Sequence, residues 1–230
     1  MSATRSARQR ARAEITREIT DTARRQLATA GAAGVSLRAV ARELGMVSSA
    51  VYRYFASRDE LLTALVVDAY NAVGDCAEAA AADPDSAPID RWTAVWTAVR
   101  GWGLDHRHEY ALVYGTPVPG YSAPDLTKDA AVRTPATLLR IVTETAAAGR
   151  LGPVTGPLVA HDAITDEVWK LVDTALEPPV AAALLAAWSQ MIGMISFELF
   201  GHFTGVVAEP DRFYRATARA TGHRIGLPDD

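Results

Sequence analysis

The sequence predicts an all-α protein with a small N-terminal head and a larger helical body. Apolar residues recur at intervals of three and four along most of the chain, which is the spacing of amphipathic helices. The alternation of β-branched residues that indicates strands is absent, and alanine, the strongest helix former, is abundant. A chain of 230 residues is long enough for one large domain or two modest ones.

The first predicted helix spans residues 12–30 and ends at Gly31. Its inward face is formed by apolar residues three or four apart, namely Ile15, Ile19, Ala23, Leu27 and Ala30. Residues 1–11 precede it and contain several arginines but no apolar run of the kind found in signal peptides. We expect this basic arm to be disordered, either as a solvated tail or until it meets phosphates.

A helix-turn-helix is predicted between residues 36 and 55. Ser36 can cap a first helix, and Gly45 supplies the permissive backbone that a tight turn needs. The apolar face of this first helix is formed by Leu37, Val40, Ala41 and Leu44.

The second helix of the pair covers residues 48–54 and buries Val51 and Phe55. A helix of about seven residues is unstable alone in water, so we expect it to be held in place for recognition. Its other face carries hydroxyls and one cation suited to base edges and phosphates, on Ser48, Ser49, Tyr52, Arg53 and Tyr54.

The run Leu-Gly-Met-x-Ser-x-Ala-Val-Tyr-Arg-Tyr-Phe-x-Ser-Arg-Asp-Glu-Leu, from Leu44 to Leu61, resembles the signature of the tetracycline-repressor (TetR) family of bacterial transcription factors. The resemblance covers residues 12–75. It departs at Val47, where the family usually has a capping Ser or Thr, a role that falls here to Ser48 or Ser49. Arg58 stands where the family commonly has a phosphate-binding lysine. Together these observations predict DNA contacts by Ser36, Arg38, Ser48, Ser49, Tyr52, Arg53, Tyr54 and Arg58.

The charge of the chain is unevenly distributed. The whole chain carries a net charge of −4, which taken alone argues against nucleic-acid binding. Residues 1–60, however, hold 11 arginines and 6 acidic residues, a net charge of +5, and the remainder carries −9. The basic part is the part that contains the helix-turn-helix, as binding to DNA phosphates requires.

The body is predicted to be helical between loops rich in proline and glycine. The sequence predicts helices over 57–78, 89–106, 109–114, 128–148, 162–175, 180–203 and 210–221. The segment 180–207 contains one charged residue, Glu198, and is long enough to cross a bilayer. Polar residues are spread along it and no Lys or Arg flanks it, so we expect a helix buried partly by its own domain and partly by a second subunit.

Aromatic residues of the body predict either a solid core or a ligand cavity. Trp92 and Trp96 are four residues apart and Trp102 lies on the flanking stripe of the same helix, which supplies a large apolar area with N–H groups. Resemblance to the TetR family favours the cavity, because its members hold an inducer among the body helices. The residues predicted to line it are Trp92, Trp96, Trp102, Tyr110, Tyr114, Trp169, Met191 and Phe197. The run after Trp188 also resembles a C-terminal class named for a Trp-His-Gly motif, although Ile192 stands where its His would be.

Catalytic, metal and redox functions find little support. His106 and His108 are two residues apart, so on a helix they point in opposing directions and cannot easily share an ion. Nucleophile motifs and phosphate-binding glycine loops are absent, and we predict no enzyme activity, metal or cofactor. Cys76 is the single cysteine, which suits a reducing cytoplasm. It is interpreted as a small buried residue, with a redox sensor as the alternative.

The favoured function is a ligand-responsive transcriptional regulator, which in the TetR family is most often a repressor. A homodimer would place two helices in successive major grooves of a palindromic operator, and a small apolar or aromatic molecule would release it. The expected domains are a basic arm at 1–11, a helix-turn-helix at 12–56, a connecting helix at 57–78 and a ligand-binding and dimerisation domain at 79–230. The alternative is a small-molecule-sequestering protein with a vestigial helix-turn-helix.

Overall fold

The computed structural model describes residues 2–156, 160–165 and 176–230. Over these ranges the regular elements are all helical, which confirms the predicted all-α class. In chain order the α-helices are α1 (Ser2–Gly34), α2 (Leu37–Glu43), α3 (Ser48–Val51), α4 (Arg58–Ala80), α5 (Pro88–Asp105), α6 (Arg107–Tyr114), α7 (Lys128–Ala131), α8 (Arg133–Ala147), α9 (Pro178–Leu199) and α10 (Pro210–Ile225). Single 3₁₀ turns lie at Asp125–Thr127 and His161–Ala163.

The chain forms two compact units. The first contains Met1–Tyr70 and Arg107–Ala130, and the second contains Asn71–His106 and Ala131–Asp230. Residues 107–130 therefore group with the head, although their position in the sequence suggested the body. The helix predicted over 128–148 is divided, because α7 ends at Ala131 and α8 begins at Arg133.

The core of the first unit is formed by the apolar faces predicted for the head helices. Val51 and Phe55 are buried around α3, together with Leu37, Val40 and Ala41 of α2, while Leu44 of the predicted apolar face is half-buried. They pack against residues of α1, α4 and the connecting loop, namely Ile19, Ala23, Leu27, Val35, Leu61, Leu62 and Leu65. Leu112, Val118 and Tyr121 pack against the same core, which explains why residues 107–130 group with the head.

Helix α1 is longer than predicted. It begins at Ser2, where we expected a disordered arm as far as residue 11. Residues 7–14 are exposed, so this part is helical without a buried face, in line with the high helix propensity of its alanines, arginines and glutamine. The predicted end at Gly31 is observed as a break in helical geometry, with φ 66° and ψ 177°. Ala30, predicted to face inward, is exposed.

Arg24 connects three helices of the first unit. Its guanidinium lies 2.6 Å from Asp21 in α1, 3.4 Å from Asp68 in α4 and 3.1 Å from Glu109 in α6. Burial raises the pKa of the Asp68 carboxyl, and the positive charge of Arg24 opposes that rise. These contacts fix α6 beside α1 and α4.

Helix α5 is the centre of the second unit. It packs against α8, α9 and α10 and buries Ile89, Trp92, Val95, Trp96 and Val99. The close approach of α10 depends on Gly222, since a Cβ there would lie 2.5 Å from Cδ1 of Ile89. Across this contact, Nε1 of Trp92 donates a buried hydrogen bond of 2.9 Å to the carbonyl of Ala218.

Helix α9 has the length and the mean hydropathy, 1.7, of a membrane-spanning helix. In the structure it packs against α5, α8 and α10, with its core-facing residues Val180, Ala181, Ala182, Ala183, Leu184, Ala187, Met191, Met194 and Ile195 buried. Its charged residue, Glu198, accepts two hydrogen bonds of 2.7 Å from Arg100 of α5. Arg100 also lies 2.7 Å from Asp211 of α10, and these acceptors raise the pKa of its guanidinium. These are the contacts of a core helix. The charge of Glu198 is compensated by Arg100, as the charge of a buried carboxylate must be.

Cys76 of α4 is half-buried. Burial raises the pKa of its thiol, and the nearby carboxylate of Asp75 acts in the same direction. A raised pKa lowers the fraction of reactive thiolate. The environment of Cys76 therefore agrees better with a packing residue than with a redox sensor.

Candidate nucleic-acid interface

The candidate interface is the exposed face of α3 and of the turn that follows it. Ser48, Ser49, Tyr52 and Arg53 are exposed there, whereas Val51 on the opposite face is buried. The α-helix ends at Val51 rather than at residue 54, and residues 52–54 continue as hydrogen-bonded turns. The result is a short polar surface held from behind by the core of the head.

The turn before α3 sets its direction. Gly45 has φ 65°, a conformation that favours glycine, and the backbone N–H of Met46 donates to the carbonyl of Ala41 at 2.8 Å. Val47 occupies the N-cap with extended backbone and makes no side-chain cap. Ser48 and Ser49 therefore lie inside the helix and do not take over the cap.

Tyr54 is placed differently from the sequence-based expectation. We expected it to point away from Val51 and Phe55, but it is half-buried and packs against the same core. The guanidinium of Arg12 lies 5.2 Å from the centre of its ring, a cation–π contact. The exposed part of α1 is thereby held, at Arg12, beside the turn that follows α3.

Two residues predicted to contact DNA from outside α3 also have structural roles. Ser36 is the N-cap of α2, but its hydroxyl makes no cap hydrogen bond, and its backbone N–H donates to Gln26 at 3.4 Å. Arg58 donates from Nε to the carbonyl of Val35 at 3.0 Å and from Nη2 to that of Ala32 at 2.8 Å. Arg58 thus fixes the connection between α1 and α2, and these two donors are already used.

Exposed cations lie on both elements of the helix-turn-helix. Arg38 and Arg42 are exposed on α2, as is Arg53 after α3. The acidic Glu43 beside them accepts hydrogen bonds from Arg25 at 3.0 Å and from Gln26 at 3.4 Å. Its negative charge is partly offset, so the surface stays attractive to phosphates.

The residues predicted to line a ligand cavity fall in both units. In the second unit Trp92, Trp96 and Met191 are wholly buried, and the Trp96 ring lies between those of Trp92 and Tyr214, at 6.0 and 5.6 Å. Trp92 is held by its hydrogen bond to Ala218. In contrast, the buried Nε1 of Trp96 has no hydrogen-bond partner within the described residues.

The other predicted ligand residues have varied surroundings. Trp102 is buried and stacks on His106 with ring centres 5.6 Å apart. In the first unit the rings of Tyr110 and Tyr114 lie 5.2 Å apart. Phe197 is 53% exposed at the surface of the second unit, so within this chain it does not line an interior cavity. Trp169 lies outside the described residues, as does most of the helix predicted over 162–175.

Several arginines that hold elements together within a unit carry no signal in the sequence. Arg12, Arg24, Arg58, Arg100 and Arg133 each contact partners far along the chain. The residues next to such an arginine in the sequence do not indicate which distant residue it contacts. Glu198, a single charge in a long apolar sequence, is the exception, because a buried carboxylate requires a cation opposite it.

Comparison with known proteins identifies both parts of the chain. The family described as "Bacterial regulatory proteins, tetR family" matches residues 19–65, and "Tetracyclin repressor-like, C-terminal domain" matches residues 92–221. HTH-type transcriptional regulators of Mycobacterium tuberculosis and Mycobacterium bovis are each 39% identical to this chain over 225 residues, and the match covers 92% of this chain and 92% of each regulator. The Trp-His-Gly class of the body stays a prediction.

Solved structures share the fold over almost the whole chain. The crystal structure of the regulatory protein SCO4313 has a TM-score of 0.75 and 37% identity, and the match covers 93% of this chain and 97% of that one. A tetR-family regulatory protein from Rhodococcus RHA1 has a TM-score of 0.63 at 22% identity, with 93% and 98% covered, and shows the fold alone. The similarity thus extends over head and body.

Proposed function

Because the chain belongs to the TetR family of bacterial transcriptional regulators, we propose that it is a homodimeric repressor released from a palindromic operator by a small molecule. The observation that carries the proposal is the exposed polar face of α3 and of the turn that follows it, formed by Ser48, Ser49, Tyr52 and Arg53. This face lies in the head, and residues 1–60 of the chain carry a net charge of +5. The acidic remainder is repelled by phosphates and favours approach with the head first. Such a protein acts in the cytoplasm, where bacterial DNA lies.

The proposed contacts divide into base readout and backbone positioning. Ser48, Ser49 and Arg53 would contact base edges in the major groove, where arginine pairs with guanine and hydroxyls pair with several bases. Tyr52 and Arg38 would contact phosphates, which fix the register of the protein on the duplex. Ser36 would add its hydroxyl, which makes no cap in the free protein. Tyr54 and Arg58 would contribute mainly by holding this surface in place.

The exposed start of α1 is proposed as a further phosphate contact. Arg8, Arg10 and Arg12 lie on a segment without buried residues, and Arg12 touches the ring of Tyr54. This contact brings the basic segment next to the proposed interface. A helix that is exposed on all sides and rich in arginine is suited to an anionic surface.

Dimerisation is proposed through the outer faces of α9 and α10. Large apolar side chains are exposed at the end of α9, in the following loop and at the start of α10, on Phe197, Phe200, Val206 and Phe213. Exposed apolar patches of this kind mark interaction sites. We propose that a second copy covers this face. In the proposed complex with DNA, the two copies of α3 lie in successive major grooves, about 34–36 Å apart.

Replacement of Phe197 by lysine should give a folded monomer. Phe197 is 53% exposed in the single chain, so its replacement removes little packing, and a cation near the end of a helix is compatible with the helix dipole. Light scattering should show half the wild-type mass with a similar melting temperature. Leu126→Lys, at an apolar position that is 63% exposed in the first unit, is the matched control and should stay dimeric. A Phe197→Lys dimer of unchanged affinity would exclude this interface.

The effector is proposed to be a small apolar or aromatic molecule that binds inside the second unit. The support for this is Trp96, whose buried indole N–H has no partner among the described residues. A buried unpaired donor is unfavourable, and an acceptor on a bound molecule would satisfy it. Titration with aromatic acids and amides should then quench tryptophan fluorescence and weaken DNA binding. Both effects should have the same dependence on ligand concentration, because a ligand that lowers the affinity for DNA is itself bound less tightly by the DNA complex. Quenching with unchanged DNA affinity would favour a sequestering protein.

A footprint on the DNA that flanks the gene tests the proposal as a whole. We expect protection of a palindrome whose half-sites are centred about 10 base pairs apart or a multiple of that spacing. The purified homodimer and a duplex from this region suffice for the measurement. Binding that is equally strong to any duplex of the same length would contradict operator recognition.

A further inference from the structure

Val47 is an exposed apolar residue at the start of the candidate interface. Its side chain is 71% exposed, whereas that of Met46 before it is partly buried against the core of the head. The residues that follow it, Ser48 and Ser49, are exposed and polar. Val47 therefore contributes little to the packing of the head, and its methyl groups are open to a binding partner.

The backbone holds Val47 in a fixed place. Val47 is the N-cap of α3 with extended geometry, φ −68° and ψ 139°, and its carbonyl accepts a hydrogen bond of 2.9 Å from the backbone N–H of Ala50. The turn at Gly45 fixes the chain just before it. Because a β-branched side chain has few χ1 rotamers, Val47 loses little conformational freedom when a partner covers it.

The stability of the head gives no physical reason for a valine at this N-cap. The residues favoured there carry an oxygen that accepts a backbone N–H of the first turn, and valine ranks among the poorest choices. Val47 makes no side-chain cap to α3. Its exposure excludes a large contribution to the core as well. A contact outside the free protein is the remaining physical reason for an apolar side chain here.

The major groove of DNA offers an apolar group that suits this position. In a helix-turn-helix the N-terminal residues of the second helix contact base edges, and Val47 directly precedes α3. Thymine alone among the four unmodified bases presents a methyl group in the groove, where apolar side chains contact it. The hydroxyls of Ser48 and Ser49 pair with several bases and discriminate little among them. An apolar contact by Val47 would add discrimination that the serines do not supply.

We propose that Val47 is a specificity-determining residue, which contacts the C5 methyl group of a thymine in each half-site of the operator. The inference rests on the proposed function, because it requires that α3 enter the major groove of a specific duplex. It adds a sequence preference to that function. Each half-site contains a thymine whose methyl group is covered on binding.

The test removes single methyl groups from the DNA. The footprinted palindrome is made as a synthetic duplex, in which thymine is the one source of C5 methyl groups. Each thymine of the half-site is replaced in turn, in both half-sites together, by deoxyuridine, which keeps the hydrogen-bonding edge and lacks the methyl group. Binding of the dimer to each duplex is measured by fluorescence anisotropy.

Two variants of the protein and a control show whether Val47 makes the contact. Val47→Ser removes both methyl groups and supplies a hydroxyl that can cap α3, so it should melt at or above the wild-type temperature. Val47→Thr keeps one methyl group. Leu126→Ser is the matched control, since Leu126 is 63% exposed in the same unit and is not part of the candidate interface.

We expect one of the deoxyuridine substitutions to weaken wild-type binding about 15-fold, which corresponds to about fourfold for a buried methyl group at each of two half-sites. Val47→Ser should bind the thymine and deoxyuridine duplexes equally, because the protein side of the contact is already lost. Val47→Thr should retain part of the difference, and Leu126→Ser should match the wild type.

Three results would overturn the inference and leave operator recognition standing. They are a half-site without thymine, a wild type that binds every deoxyuridine duplex as tightly as the thymine duplex, and a Val47→Ser variant that keeps the full difference. A wild type that protects no palindrome would contradict the proposed function and the inference with it.

Discussion

Replacement of Trp96 by alanine should lower the free energy of unfolding by about 3–5 kcal/mol, the range for emptying a buried tryptophan site. Trp96 is wholly buried, and its ring lies against those of Trp92 and Tyr214. The neighbouring helices α5 and α10 cross closely at Gly222, so they have little room to collapse into the space left behind. Denaturant unfolding followed by circular dichroism measures the loss.

Phenylalanine at the two neighbouring tryptophans gives the matched comparison. Trp96→Phe removes an indole N–H that has no partner within the described part of the chain. Trp92→Phe removes one that donates to Ala218. Because Trp92→Phe loses a hydrogen bond and Trp96→Phe does not, Trp92→Phe should be less stable than Trp96→Phe by about 1 kcal/mol. Wild-type stability of Trp96→Ala would contradict the expected loss.

Replacement of Arg53 by alanine should weaken operator binding strongly without changing stability. Arg53 is exposed, whereas its neighbour Val51 forms the core side of α3. An arginine contact to a base or phosphate contributes about 1–3 kcal/mol, and the dimer would lose one at each half-site. We therefore expect a loss of about 30-fold or more, measured by fluorescence anisotropy with the footprinted duplex.

Two variants separate the role of Arg53 from charge alone. Arg150→Ala removes an exposed arginine from the second unit and should bind the operator as the wild type does. Arg53→Lys keeps the charge but loses the planar fork, so it should discriminate less well between the operator and a scrambled duplex. Wild-type operator affinity in Arg53→Ala would remove α3 from the proposed interface.

The fold was largely predictable because helix periodicity is a local property. The spacing of apolar residues predicted which side of α2 and of the segment after α3 is buried. The positions of two glycines predicted the turn at Gly45 and the break in α1 at Gly31. The basic start of α1 was not predicted as helix, because its low hydrophobicity indicates disorder while its individual residues favour a helix.

The candidate site was predictable where it depends on one helix and unpredictable where it depends on distant partners. The exposure of Ser48, Ser49 and Arg53 follows from the burial of Val51 in a four-residue helix. The bonds of Arg58 to carbonyls more than twenty residues earlier do not follow from any local pattern. The same is true of Phe197, whose apolar character suggested an interior place until its surroundings were known.

The internal bonds of Arg58 affect how a DNA complex would respond to ionic strength. Each phosphate that a protein neutralises on duplex DNA releases about 0.9 condensed counterion, which sets the slope of log affinity against log salt concentration. Arg58 donates to carbonyls, and Arg24 and Arg25 pair with carboxylates. Carboxylates offset the charges of Arg24 and Arg25, and Arg58 keeps its charge but has two fewer donors for a phosphate, so these three contribute less to counterion release than their share of the 11 arginines in residues 1–60 suggests. The salt slope of each head should therefore be shallower than its arginine content suggests.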